Sequence, residues 1–183
     1  MPSGMMTADP SIPREDPDLL TGELAVLGQY LDYHRTTLAM KCARLSEADL
    51  KRRAVPTSSL TLLGLVRHLT EVEYGWFCEW LDGQPERAVY FSDDDPDGDF
   101  DNLDSHPVAD VWAAYSAQVA ESRRILGTFS DGGELARGLP GRSGRSGRPR
   151  NVRWILAHLV EEYARHNGHA DLLRESVDGS TGE

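Results

Sequence analysis

The stretch RWILAHLVEEYARHNGHADLLRE, residues 153–175, decides both the fold class and where function is to be sought. Ile155, Leu159 and Leu173 recur at helical intervals, so the segment reads as an amphipathic helix. Advancing about 100° per residue from His158 places Glu162 at about 40°, His166 at about 80° and His169 at about 20°. The four polar groups therefore share one face, and the apolar residues share it too. Charged side chains are rarely buried unless they are paired or bind a metal. A helix that turns such a row inward is expected to use it, whereas Glu161, Arg165 and, by spacing, Arg174 suit a face in water.

Three further helices are legible upstream. Leu24, Leu27, Leu31, Leu38 and Leu45, with Tyr30 and Met40 among them, predict a first helix over about 19–46, since no proline interrupts before Pro56. The segment PTSSLTLLGLVRHLTEVEYGWFCEWLDG, 56–83, opens on a capping cluster and closes on glycine, which predicts the second helix, carrying His68 and the aromatics Tyr74, Trp76, Phe77 and Trp80. Val108, Val111, Trp112, Tyr115, Val119 and Leu126 predict a third helix over about 107–129, with Pro107 suited to its first turn. The fourth spans about 151–175. With no convincing strand, the expected fold class is all-α: a four-helix bundle with long connections before and after helix three, its sites formed between facing helices.

Composition agrees. The chain has 183 residues, 39% hydrophobic and 27% charged, as expected for one globular domain over 19–175 between a loosely ordered arm, 1–18, and a tail, 176–183. No apolar run approaches the roughly 18–20 residues that cross a bilayer. The opening MPSGMMTADPSIPREDP has neither a basic flank nor an apolar signal segment, so a cytoplasmic location is expected. A net charge of −11 argues against nucleic-acid and membrane partners. The two cysteines, Cys42 and Cys78, lie in apolar helical contexts and read as buried thiols rather than a redox pair.

Two charged segments invite functional readings. DDDPDGDFDNLD, 93–104, spaces its acids like a calcium loop with glycine at the sixth position, but its flanks lack an entering helix, and a solvated acidic loop is expected. GRSGRSGRPR, 141–150, reads as a solvated basic loop folding back on the acidic one.

The polar row of the last helix limits what one ion can touch. His158 and His166 stand about 12 Å apart along the axis, too far for bonds of about 2.1 Å to one zinc. Neighbours at three or four residues, 158 with 162, 162 with 166, or 166 with 169, have Cβ atoms about 5–6 Å apart and can share an ion. His68, on helix two, is the candidate for a third ligand, giving a zinc, nickel or iron centre with open positions.

LVRHLTEVEYGWF together with RWILAHLVEEYARHNGHADLLRE resembles the DinB-like metal-binding four-helix proteins, in particular their actinobacterial branch, over helices one to four. The resemblance implies a bundle holding a divalent metal through one residue of helix two and two residues spaced by four on the last helix. HNG at 166–168 matches the family's HRG, which assigns His68, Glu162 and His166 as ligands. A glutamate at the middle position is similar to the mycothiol-dependent isomerases and transferases. The resemblance thus implies a thiol S-transferase in which a low-molecular-weight thiol, mycothiol or a bacillithiol-like one, attacks an electrophilic small molecule. His169 is expected to assist proton transfer or orient a ligand, and Arg174 to bind a carboxylate. A metal-dependent hydrolase or a non-catalytic metal- or partner-binding bundle are the alternatives. A homodimer through Trp76 and Trp80 is weighed against a core role for both.

Overall fold

The structure, a computed structural model, describes residues 14–140 and 148–181. Most of the expected N-terminal arm, residues 141–147 of the basic loop and the last two residues of the tail lie outside the described residues. Four long helices carry the molecule: α1 (Glu23–Cys42), α3 (Leu62–Glu73), α5 (Val108–Leu126) and α7 (Val152–Asp178). The turns after α3, Tyr74–Leu81, wind as a π-helix. Short helical turns interrupt the connections: α2 (Glu47–Leu50), α4 (Gly98–Asp101) and α6 (Gly133–Ala136). The all-α bundle is as expected. The sequence reading gave no strand, yet β1 (Gly138–Leu139) and β2 (Arg150–Asn151) form a two-residue antiparallel pair, Gly138 opposite Asn151, that brings the ends of the basic loop together.

Helix ends follow capping chemistry. α1 stops at Cys42, short of the expected 46, because Ala43 is extended and Arg44 takes a left-handed φ of 61°. Ser46 then accepts a hydrogen bond from the Asp49 amide (3.2 Å) and starts α2. α1 also begins later than expected, at Glu23, with Leu19 and Leu20 almost wholly in water. Thr61 caps α3 through the Gly64 amide (3.0 Å), and Asn151 caps α7 through the Trp154 amide (2.8 Å). α7 ends where Gly179, at φ 77°, returns its amide to the Glu175 carbonyl (2.8 Å), the left-handed ending that glycine adopts without penalty.

α1 packs chiefly on α7 and α3 on α5, with α3 and α7 meeting between the two pairs. Leu31, Leu38, Leu63, Leu65, Leu69, Phe77, Ile155 and Leu159 form the buried centre. Trp76 and Trp80 belong to this core, at 6% and 4% exposure, which removes them as the contact of a homodimer. Tyr30 and Met40 lie outside it, being exposed on the outer face of α1. Among the described residues no helix is long and apolar enough to cross a membrane.

The connection between the π-helix and α5 keeps Asp93, Asp94, Asp97, Asp101 and Asp104 exposed, as its composition suggests, yet it does not hang free. One face of α3 pins it down. Glu71 accepts hydrogen bonds from the amides of Val89 (2.6 Å) and Tyr90 (2.7 Å). Arg67, fully buried, donates to the carbonyls of Gly98 (2.8 Å) and Asn102 (2.7 Å) at the two ends of α4. A Cβ at Gly98 would stand 2.5 Å from the Tyr90 carbonyl oxygen, so the turn needs glycine there. Three acids of 93–104 go to separate partners: Asp104 to Lys51, Asp101 to Arg53, Asp99 to His68. Among the described residues they form no group of three that could share one ion.

Candidate metal centre

α3 and α7 bring three of the expected residues together. His68 lies midway along α3, on the side that faces α7, between the buried Leu65 and Leu69. Glu162 and His166 stand one turn apart on α7, and the His166 Nε2 is 3.4 Å from the Glu162 Oε2. The His68 and His166 rings meet at 4.7 Å between centroids. One donor atom from each of His68, Glu162 and His166 lies within 4.8 Å of the other two. Two ligands of one tetrahedral ion at about 2.1 Å stand about 3.4 Å apart. The Glu162–His166 pair already has that separation, and a His68 donor atom lies within 4.8 Å of both. Two imidazoles and one carboxylate are a donor set that zinc, nickel and iron all accept, with coordination positions left over.

The electrostatics favour a ligand over a proton at His166. Burial, then the neighbouring His68 and His169, push its pKa down to about 4, so it is a neutral imidazole with a free lone pair at neutral pH. His169, half-buried, places its Nδ1 3.4 Å from the Nδ1 of His166, and is beside the three rather than among them. Arg174 is elsewhere. Its guanidinium donates to the carbonyls of Lys41 (3.0 Å) and Ala43 (2.8 Å) and pairs with Asp178, tying the end of α1 to α7.

His158, the first member of the polar row, is held by aromatics: stacked on Trp154 at 4.9 Å and edge-on to Trp76 at 5.0 Å. Its Nε2 lies 3.5 Å from the other oxygen of Glu162, and its Nδ1 lies 3.3 Å from Glu161. His158, Glu161 and Glu162 form a second group of donors, but Glu161 is exposed and already paired with Arg165.

Asp99 is the residue at this site that the sequence reading left in the solvent. Its Oδ2 sits 2.7 Å from the Nδ1 of His68, and the residue is 5% exposed. Phe100, next to it, stacks on the His68 ring at 5.0 Å. No periodic signal marks either residue. The available clue was Gly98 within an acidic run, a turn built for close approach.

The profile of the mycothiol-S-transferase family matches residues 26–179. The chain belongs to the mycothiol S-transferase family. That match spans all four long helices and both sides of the site of this family member. Among solved structures, a conserved protein from Enterococcus faecalis superposes with a TM-score of 0.59 at 14% identity, over 88% of this chain and 100% of that one. At that identity the likeness supports the fold alone. No curated protein matches the chain.

Proposed function

We propose that this mycothiol S-transferase family member is a divalent-metal-dependent thiol S-transferase, with His68, Glu162 and His166 holding the ion. The observation that carries the reading is the convergence of these three donors from two helices inside a chain matched by the family over 26–179. A divalent ion held in such a site lowers the pKa of a thiol in its open position, so that thiolate is present at neutral pH. Zinc is the ion that suits two imidazoles and a carboxylate best in a site that leaves room for a thiol.

The chain's own residues do the remaining work. His166 stays neutral and keeps its lone pair for the ion. Glu162 supplies the negative charge that offsets the cation. His169, half-buried with its Nδ1 3.4 Å from the Nδ1 of His166, is assigned the role of assisting proton transfer or orienting a ligand. The co-substrate is mycothiol or a similar low-molecular-weight thiol, and the acceptor is an electrophilic small molecule. Such thiols are kept reduced in the cytoplasm, which is the location this reading assigns to the protein.

The test is thiol consumption. Zinc-loaded protein given mycothiol and a generic electrophile is expected to consume both in equal amounts. Chelator-stripped protein and the His166→Ala variant should fall to the uncatalysed rate. Loss of electrophile without loss of thiol would replace transfer by hydrolysis. Equal rates with and without metal would end the reading altogether.

A further inference from the structure

The connection between the π-helix and α5 is fastened to α3 at three successive points of one helical face. Glu71 holds the Val89 and Tyr90 amides, Arg67 holds the carbonyls of Gly98 and Asn102, and His68 meets the Asp99 carboxylate. α3 can accept α4 this closely because Gly64 has no side chain: a Cβ there would stand 3.2 Å from the Phe100 ring. Arg67 and His68 are neighbours in sequence and grip the same short turn. The first fixes the backbone of α4, and the second meets its buried Asp99 carboxylate.

A carboxylate buried in this way is costly unless something demands it. Arg67 makes no hydrogen bond to it: its terminal nitrogens go to backbone carbonyls and its Nε has no partner among the described residues. The Asp99 Oδ2 meets the His68 Nδ1 at 2.7 Å, and Oδ1 has no hydrogen-bond partner among the described residues. The carboxylate is thus committed to one imidazole nitrogen. With Nδ1 turned to the carboxylate, Nε2 is the ring nitrogen left to bind an ion. Phe100, stacked on the same ring at 5.0 Å, holds its plane.

We infer that Asp99 is a positioning residue for the metal centre. It locks the tautomer and orientation of His68 through a carboxylate–imidazole contact, and so makes the acidic connection a working part of the site. This rests on the metal reading proposed above and extends it to a residue of a different element. Carboxylates behind metal-bound histidines orient the ring and raise its basicity, and their loss costs about 10–100-fold in metal affinity. Asp99→Ala loses both effects. Asp99→Asn keeps the shape and a neutral acceptor but loses the charge.

The experiment titrates zinc into full-length metal-free protein against a chromogenic chelator, and records the visible spectrum of the cobalt-loaded forms. Wild type should bind one ion. Asp99→Asn should bind about 10-fold more weakly and Asp99→Ala about 100-fold. The cobalt bands of Asp99→Asn should be displaced at saturation, because a less basic His68 changes the ligand field. Asp101→Asn, which removes an exposed acid of the same turn, should match wild type and exclude a general effect of charge. Wild-type affinity and spectrum in both Asp99 variants would overturn the inference and leave the metal reading standing. Affinity lost only in step with a lowered melting temperature of the metal-free variants would overturn it as well, since a detached turn would then suffice. A wild type that takes up neither zinc nor cobalt would remove the metal reading itself.

Discussion

Glu73 is fully buried at the end of α3, and Arg35 of α1 holds it there with two parallel hydrogen bonds of 2.8 Å. The Tyr163 hydroxyl donates to the same carboxylate (2.7 Å) and lies 3.0 Å from the Tyr115 hydroxyl, so all four long helices meet on one polar chain. Removing one partner of such a pair strands a buried charge, at about 3–5 kcal/mol, whereas replacing both with apolar groups is close to neutral. Glu73→Ala should therefore lower the urea midpoint severely, and Arg35→Met/Glu73→Leu should recover most of the loss. A double variant as unstable as the single one would show that the pair itself, rather than the stranded charge, is what matters. The same burial has a pH signature. The Cys42 thiol is pushed up to about 12, and the Tyr115 and Tyr163 hydroxyls are pushed above their ordinary range. In the unfolded chain these groups release protons near about 8.5 and about 10. Between those values and the folded ones the native state binds more protons, so the contribution of these groups to stability is fully present below about pH 8 and is lost as pH rises. Urea midpoints at pH 8 and pH 10.5 should show the drop, with the tyrosinate absorbance of Tyr115 and Tyr163 appearing only on unfolding. The sequence revealed His68, Glu162 and His166 but not Glu73 or Asp99. The α7 pair is one of three that spacing allows and is singled out by the family resemblance, and His68 stands out as a histidine in an apolar pattern. Arg35 and Glu73 are 38 residues apart, and His68 and Asp99 are 31 apart; no local periodicity encodes either contact.

Among the elements, α7 depends most on its ends, since it carries two candidate ligands one turn apart and has polar groups along much of its length. Asn151, the second residue of β2, closes the first turn of α7 through the Trp154 amide. Asn151→Ala should cost about 1 kcal/mol, a typical value for losing a capping side chain. Thermal melting should register that loss, while Asn151→Asp or Asn151→Ser should melt close to wild type. If alanine were as stable as asparagine, the start of α7 would be set by packing and not by the cap. Element existence was readable because apolar residues recur at helical spacing in α1, α3, α5 and α7. Boundaries were less so. The spacing predicts a first helix to about 46, and it is the left-handed Arg44 that stops it at Cys42, although Ser46 with Asp49 three residues on is a visible capping signal. The acidic connection was read from its charge as solvated, and its inward-facing residues, Tyr90, Asp99 and Leu103, are too few and irregular to show a period.

At the scale of the molecule, the α1–α7 and α3–α5 pairs are joined where α3 meets α7, and the three candidate ligands stand at that junction. The bundle therefore carries the site on two rigid helices, while α4 covers His68 from the side. The architecture and the three donors follow from helical geometry and resemblance together; how the connections close around them is a matter of contacts distant in sequence. The central claim is that His68, Glu162 and His166 bind one divalent ion. It is tested most directly by the metal content of the protein, purified without chelator and without a histidine tag, beside a Glu162→Ala/His166→Ala variant. The account predicts close to one zinc, nickel or iron per wild-type chain and almost none in the folded variant. Folded wild-type protein that carries no divalent metal, or a variant that retains as much as wild type, would contradict it.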